Sequence, residues 1–311
     1  MDTSHRLLFL DFETYYADDY SLRNMPIPNY ILDPRYETIM CAVKEDLRPG
    51  HAIDGPDFPK FLSQFDPAKT TTVTYNALFD NSILAWKYNF VPARMIDAMG
   101  MARALRGHKL PGASLEVVAR TLDLGAKGKA IMKVKGMRRA QIIAAGLWHE
   151  FKEYAVQDVE LAAKIFFHLY HEFPAAERRF MDLVLRCAVE PKFVVDTQMF
   201  TQHLGEVRAS KQNLLNECGV TVDDLMSTDK FKAALEARSV QIEYKTNAKG
   251  KSIPAFAKTD AFMEALGQHE DPIVQALAAA RLGHKSTIEE TRTEKFLSVA
   301  ALDWPDWMKT W

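Results

Sequence analysis

The chain has 311 residues, of which 48% are hydrophobic, and its formal net charge is −2. This length predicts one large or two ordinary domains, and the hydrophobic content excludes a largely disordered chain. The near-neutral charge does not exclude a nucleic-acid-binding protein, because a local basic surface is sufficient for binding. The three cysteines lack zinc-site spacing and are typical of reduced thiols, and no run approaches the ~20 apolar residues of a membrane span. We therefore expect a cytoplasmic protein with no membrane segment.

The first half of the chain alternates between strand and helix patterns. The short apolar run at 7–12 predicts a buried strand that ends in acids. Further strands are predicted at 37–45, 70–76 and 94–99, and helices at 81–90, 114–122 and 141–170. Ser114 is the expected N-cap of its helix. This order predicts a layered α/β domain.

The character of the sequence changes after Pro174, where helical patterns dominate. We predict three segments: an α/β domain at 1–173, a mostly helical region at 174–300 and a tail at 301–311. The tail carries Trp304, Trp307 and Trp311, and such an apolar end would be a sticky patch if it were exposed. We therefore predict that the tail is a docking segment for a partner.

Two carboxylates, Asp11 and Glu13, close the first predicted strand. Residues i and i+2 of a strand point to the same face, so both carboxylates would lie side by side. Their repulsion and desolvation cost several kcal/mol unless a cation compensates, and Mg²⁺ prefers such oxygen ligands. A pair of this spacing also arises by chance in a chain of this size, so by itself it is equally compatible with a solvated strand end.

Two further acids occur where a strand meets a helix and within a helix. Asp80 ends the run Asn-Ala-Leu-Phe-Asp, and alone it is also compatible with an ordinary helix N-cap. Tyr154 and Asp158 are four residues apart and share a face of the 141–170 helix. An acid among the apolar neighbours of Asp158 is costly unless it is used or paired, although an exposed position opposite the core is the alternative.

Taken together, the order DxE, NxxFD and YxxxD resembles the DEDD superfamily of exonucleases in its tyrosine variant, over roughly residues 6–172. The resemblance implies a ribonuclease-H-like fold and a 3′→5′ exonuclease that releases nucleoside 5′-monophosphates. The motifs alone do not distinguish DNA from RNA, and the thumb-like second half described below makes an exodeoxyribonuclease the expected activity. It implies that two divalent metal ions, Mg²⁺ or Mn²⁺, are held by Asp11, Glu13, Asp80 and Asp158, and that Tyr154 orients the attacking water. Leu78 or Thr14 is then expected to touch the terminal nucleotide, and Thr14 and Asn76 are both expected to be DNA-binding residues. Asp97 is expected to have a structural role.

A basic segment between the second and third motifs is the expected path of the DNA backbone. It contains six cations and no acid: Lys127, Lys129, Lys133, Lys135, Arg138 and Arg139. Contacts of such residues with phosphates position DNA without reading its sequence. A solvated basic loop is the alternative.

The second half of the chain is similar to the thumb region of bacteriophage family A DNA polymerases, through VEPKFVVD, KTNAKGKS and ARLGHKSTIEETRTEKFL. The similarity implies that the region grips duplex primer-template DNA. The expected phosphate contacts are Lys245, Lys249, Lys251, Arg281, His284 and Lys285. The palm and fingers motifs of that family are missing, so we expect the N-terminal part of a split or truncated polymerase, acting in proofreading with a separate polymerase chain in the cytoplasm of a host cell.

Two other functions remain open from the sequence. One is an RNA exonuclease of the same superfamily, against which the thumb-like half argues. The other is a non-catalytic subunit that only holds DNA for a replicative polymerase, against which the complete set of carboxylates argues.

Overall fold

The computed structural model describes residues 5–126 and 133–308, and these residues form two compact units. The first unit comprises the described residues as far as Phe193 together with the tail from Leu302. The second unit is Val194–Ala301.

A five-stranded mixed sheet is the centre of the first unit. Its strands are β1 (Arg6–Thr14), β2 (Thr38–Glu45), β3 (His51–Asp54), β4 (Thr70–Thr74) and β5 (Arg94–Asp97), in the order β3-β2-β1-β4-β5. Strand β2 runs antiparallel to both of its neighbours, whereas β1, β4 and β5 are mutually parallel. Because β1 is central, residues at its C-terminal end are reached by elements from both faces of the sheet.

Eight helices surround this sheet among the described residues. They are α1 (Ile27–Ile31), α2 (Phe58–Leu62), α3 (Ala77–Tyr88), α4 (Ala98–Arg106), α5 (Leu115–Thr121), α6 (Arg139–Ala144), α7 (Trp148–Leu169) and α8 (Ala175–Val189). The predicted architecture, a mixed sheet flanked by helices and followed by a mostly helical region, is confirmed. Ser114 caps α5 as predicted, since its hydroxyl accepts a hydrogen bond from the Val117 amide at 3.3 Å.

The alternation of side chains along β1 decides which residues meet at the site. Leu8, Leu10 and Phe12 belong to the core beneath α3, whereas Phe9 belongs to the core beneath α7. Phe9 contacts the ring of Phe166 on α7, with centroids 5.5 Å apart. Positions 11 and 13 therefore continue the face that α7 covers.

The predicted helix at 141–170 is two helices in the structure. α6 ends before Gly146, which adopts a left-handed backbone with φ of 72°, and α7 begins at Trp148. Glycine tolerates this conformation at no steric cost. The break sets the start of the long helix that carries Tyr154 and Asp158.

Helix α8 belongs to the first unit, so the compact units divide after Phe193, whereas we predicted a boundary at 173. The indole of Trp86 on α3 donates to the carbonyl of Val189 at 2.9 Å. Asp182 accepts from the Met95 amide at 2.9 Å, and Arg186 donates to the carbonyl of Ala93 at 2.8 Å. These bonds tie α8 to β5, α3 and the chain between them.

The prediction that the tail is an exposed docking segment needs correction for its described part. Trp304 and Trp307 are half-buried and Met308 is buried, all in the apolar core beneath α3. The ring of Trp304 meets that of Trp86 edge-on, with centroids 5.1 Å apart. Trp304 and Trp307 therefore pack against the core of the first unit itself, in place of the separate partner that we predicted. Trp311 lies outside the described residues.

Changing Trp304 to alanine is expected to lower the free energy of unfolding by about 1–2 kcal/mol, because a half-buried indole loses its apolar contacts. Urea denaturation measures this effect. Phe193→Ala is the control: that side chain is 98% exposed, and its loss is expected to cost less than about 0.5 kcal/mol. Equal midpoints for Trp304→Ala and the unchanged protein would contradict the packing of the tail.

The second unit is mostly helical and has a core of its own. Its elements are α9 (Thr197–Cys218), α10 (Val222–Met226), α11 (Thr228–Glu236), β6 (Tyr244–Thr246), β7 (Ser252–Pro254), α12 (Ala261–Leu266), α13 (Pro272–Lys285) and α14 (Ile288–Ala300). Strands β6 and β7 form an antiparallel hairpin, and Phe231, Phe256 and Phe262 lie in the core. Across the described ranges, every helix is too short or too polar to cross a bilayer.

Candidate metal and nucleic-acid site

Three carboxylates meet between the C-terminal end of β1 and the middle of α7. Asp11 and Glu13 come from β1 and Asp158 comes from α7, and one oxygen from each lies within 4.8 Å of the others. Glu13 and Asp158 are buried and Asp11 is half-buried. The i, i+2 spacing on the strand and the crossing of α7 over that face bring the three acids together, as the sequence predicts.

Tyr154 stands one helical turn before Asp158 and is buried beside it. The two side chains are hydrogen-bonded. Burial, followed by the negative charges of Asp158 and Glu13, raises the pKa of the Tyr154 hydroxyl above its usual value. The phenol is therefore neutral throughout the physiological pH range and can act as a hydrogen-bond donor or acceptor, not as a base.

Asp80 enters the same region from the first turn of α3 and is only 2% exposed. Its Oδ1 accepts a hydrogen bond from the Phe12 amide at 3.0 Å. This bond holds the Asp80 side chain against β1 at the residue between Asp11 and Glu13. Burial and the charge of Asp11 raise the pKa of the Asp80 carboxyl well above its usual range. Asp80 is thus electrostatically coupled to the β1 carboxylates, although it does not belong to the tight group of three.

The chemistry of this donor set fits hard divalent cations. Buried carboxylates at such separations repel one another, and removing them from water adds several kcal/mol to the cost of each charge. A divalent cation offsets both costs, and Mg²⁺ and Mn²⁺ are bound by carboxylate oxygens. The cluster of Asp11, Glu13 and Asp158, with Asp80 beside it, is therefore a suitable cation-binding set.

Of the predicted DNA-binding residues, Thr14 ends β1 directly after Glu13, and Asn76 directly precedes α3. Thr14 is half-buried, and its hydroxyl is hydrogen-bonded to that of Tyr30 at 2.7 Å. Asn76 is exposed and precedes α3 with a left-handed backbone. Its amide donates to Asp97 at 2.9 Å, and Asp97 also caps α4 by accepting from the Met99 amide at 3.0 Å. Asp97 therefore has the structural role that was predicted.

A cavity adjoins the carboxylates, and part of its lining could not be predicted from the sequence. Glu13 and Thr14 line it together with Tyr16, Leu22 and Arg23. Arg23 is exposed and is the one cation among the described residues that line this cavity. A lone arginine in a polar loop carries no signal in the sequence, because only the fold brings it to the acids.

The basic segment predicted to follow DNA is largely neutralised by carboxylates of the first unit. Lys127 and Lys129 lie outside the described residues. The other four form ion pairs: Lys133 with Glu150 at 2.8 Å, Lys135 with Asp18, Arg138 with Glu37 at 2.8 Å, and Arg139 with Asp54 at 2.6 Å. The segment does not present these four charges as an unpaired basic surface.

In the second unit, the prediction that Arg281 contacts phosphate is wrong. Arg281 is 1% exposed, and its guanidinium lies 4.3 Å from the ring of Phe231 and donates to the carbonyl of Leu225. It is a core residue that joins α13 to α10 and α11. A basic residue in a helix pattern looks the same in sequence whether it faces solvent or a carbonyl.

The other predicted contacts of the second unit differ in their surroundings. Lys249 and Lys251 are exposed at the β6–β7 hairpin, whereas Lys245 forms an ion pair with Asp260 at 2.6 Å. His284 is half-buried and Lys285 is exposed at the C-terminal end of α13. The hairpin tip is therefore the more cationic of these surfaces.

Neither a protein-family model nor a curated protein matches this sequence. Among solved structures, the chain is similar to RNase D of Trypanosoma brucei in complex with RNA U12, at 16% identity and a TM-score of 0.47. The similarity covers 62% of this chain and 66% of that one. Likeness at this level says nothing about activity.

Proposed function

We propose that this protein is a metal-dependent 3′→5′ exonuclease that shortens DNA from its 3′ end and releases nucleoside 5′-monophosphates. Two divalent cations, Mg²⁺ or Mn²⁺, are held by Asp11, Glu13 and Asp158 together with Asp80. The observation that carries this proposal is the convergence of three carboxylate oxygens within 4.8 Å, beside a tyrosine that is bonded to one of the acids.

Phosphodiester hydrolysis requires charge compensation that this chain's acids do not supply by themselves. When bound by these residues, two divalent cations would supply the positive charge that activates a water molecule and stabilises the leaving 3′ oxygen. The role of the carboxylates is to fix the positions of these cations from two rigid elements, β1 and α7. Their burial lowers the local dielectric response, which strengthens each of these electrostatic contacts.

Tyr154 has a positioning role in this proposal. Its neutral hydroxyl is hydrogen-bonded to Asp158, one of the three acids of the cluster. There it orients the attacking water by a hydrogen bond and keeps its own proton. Asp80 contributes by fixing the end of β1, because its bond to the Phe12 amide lies between Asp11 and Glu13 in the chain.

For the second unit, we propose that the β6–β7 hairpin contacts the phosphate backbone of DNA through Lys249 and Lys251. Both side chains are exposed, and the hairpin tip is braced because Asn247 accepts from the amides of Lys249 and Lys251 at 2.9 and 3.0 Å. Lysines on a fixed turn position a backbone without reading bases. The predicted polymerase partner remains a prediction.

The direction of attack and the kind of nucleic acid are tested together with four matched single-stranded oligonucleotides. DNA and RNA of one sequence each carry a label at the 5′ or the 3′ end, and each is incubated with Mg²⁺. A ladder that shortens the 5′-labelled DNA, with immediate release of mononucleotide from the 3′-labelled DNA, is expected. Faster shortening of RNA than of DNA would show that RNA is the preferred substrate. Cuts within the strand would contradict an exonuclease.

A further inference from the structure

The loop at residues 15–25, here called the tyrosine loop, lines part of the cavity beside the carboxylates. It contributes Tyr16, Leu22 and Arg23 to the lining, which also includes Glu13 and Thr14 on β1. The cavity has a volume of about 390 Å³. Because Glu13 also belongs to the carboxylate cluster, the tyrosine loop shares a cavity with that cluster.

The tyrosine loop is fastened to its surroundings at several points. The Gly136 amide donates to the carbonyl of Tyr16 at 2.9 Å, and the Tyr30 hydroxyl donates to the carbonyl of Tyr15 at 2.6 Å. Lys135 pairs with Asp18 in the loop, and the guanidinium of Arg138 lies 4.4 Å from the ring of Tyr15. These contacts give the loop a defined position.

The basic segment thus organises the loop instead of offering its own charge to a ligand. Lys135 and Arg138 already have carboxylate partners, Asp18 and Glu37. Each would have to give up its partner before it bound a phosphate. The cation that remains available at the cavity is a different one.

Arg23 is that cation. Its side chain is exposed, it lines the cavity, and it forms no ion pair with a carboxylate among residues 5–126 and 133–308. An arginine guanidinium offers a planar set of donors that matches phosphate oxygens with two parallel hydrogen bonds. Next to a cluster of acids that repels nucleic acid, an unpaired guanidinium is the group that attracts the backbone.

We propose that Arg23 binds a backbone phosphate of the single strand whose 3′ end lies at the carboxylates, and that the contacts of the tyrosine loop hold it in place. This inference rests on the proposed exonuclease function. Arg23 is then a substrate-binding residue that acts on affinity and not on the hydrolytic step.

Kinetics on a 5′-labelled single strand test the inference with three variants. Arg23→Gln is expected to raise KM about tenfold with little change in kcat, and Arg23→Lys is expected to recover part of the loss. The slope of log KM against log salt concentration is expected to fall by about 0.7, the contribution of one phosphate contact on a single strand. Arg120→Gln on α5, an exposed arginine outside this cavity, is the control and is expected to change neither.

The phosphate is located by replacing one linkage at a time with an uncharged methylphosphonate. The unchanged protein is expected to lose affinity at one linkage, and Arg23→Gln is expected to be insensitive at that same linkage. A merely structural role of Arg23 would lower affinity at every linkage alike and leave the salt slope unchanged, and that result would overturn the inference.

Binding without hydrolysis separates this inference from the proposed function. Fluorescence anisotropy of the labelled strand is measured with Asp11→Asn protein, with and without Arg23→Gln. Weaker binding and a smaller salt slope on loss of Arg23 support the inference even if no strand is shortened in any assay. Normal shortening with an unchanged KM and salt slope in Arg23→Gln overturns it while the exonuclease stands.

Discussion

Replacing Asp11 with asparagine is expected to lower kcat for Mg²⁺-dependent shortening of single-stranded DNA by about 10³-fold or more. The change keeps the shape of the side chain but removes one of the three charges that converge within 4.8 Å. A loss of several kcal/mol of electrostatic stabilisation in the transition state corresponds to a factor of this size. Single-turnover kinetics on a 5′-labelled strand measure it.

The lower kcat of Asp11→Asn is not expected to result from a loss of folding. Removal of one of several clustered negative charges leaves the metal-free protein as stable as before or more stable, because like-charge repulsion falls. The rise in melting temperature that Mg²⁺ gives to the unchanged protein is expected to disappear. Glu116→Gln, an exposed acid on α5, is the control and is expected to keep both activity and the Mg²⁺ shift. Full activity of the Asp11→Asn variant would contradict the proposed metal site.

Replacing Tyr154 with phenylalanine is expected to lower kcat by about 10²-fold, with KM changed less than about twofold. The ring and its packing remain, and only the hydroxyl that is bonded to Asp158 is lost. Positioning of a reacting group by one hydrogen bond contributes effects of this order. Measurement of kcat and KM separately distinguishes this effect from that of a substrate-binding residue.

The pH profile adds a readout that depends on the role of the hydroxyl. Because a tyrosine hydroxyl has an ordinary pKa of about 10 and burial raises the pKa of Tyr154, it stays protonated across the working range, so the profile of Tyr154→Phe is expected to be lower but unchanged in shape. Tyr170→Phe, which directly follows the last residue of α7 and does not line the cavity beside the acids, is the control. An ionisation between about pH 7 and 9 that vanishes in Tyr154→Phe would show that the tyrosine is a base.

The central elements of the site could be predicted because they follow from local periodicity. The i, i+2 spacing of Asp11 and Glu13 and the i, i+4 spacing of Tyr154 and Asp158 fix which side chains share a face. The alternation along β1 then separates Phe12, in the core beneath α3, from the two acids, which turn towards α7. These spacings do not depend on the exact residue at which a strand or helix ends.

Other features depend on contacts between distant parts of the chain. Strand β3 was not predicted, because its four residues at the edge of the sheet, His51–Asp54, carry no alternation: the first is exposed and the other three are half-buried. The pairing of Lys135 with Asp18, the burial of Arg281 and the packing of Trp304 on Trp86 join residues that are 56 to 218 positions apart. In each case, the sequence gives the residue type but not the residue that it contacts in the fold. That contact determines whether the side chain is buried, paired or available for binding.

The distinction between the basic segment and Arg23 has the same origin. A run of cations without acids predicts a phosphate-binding surface, yet the fold supplies a carboxylate to each of Lys133, Lys135, Arg138 and Arg139. Arg23 stands in a loop of mixed charge, and the fold leaves it without such a partner among the described residues. Charge that is available for binding is therefore a property of the folded chain.

The most direct test of the two-cation site is anomalous diffraction from crystals of the protein soaked in Mn²⁺, with data collected at the manganese absorption edge. We expect two anomalous peaks about 3.5–4 Å apart, from Mn²⁺ ions bound by oxygens of Asp11, Glu13, Asp80 and Asp158. Both peaks are expected to disappear in crystals of the Asp11→Asn variant. Carboxylates that remain without an anomalous peak at saturating Mn²⁺ would contradict the two-metal site and the hydrolytic function built on it.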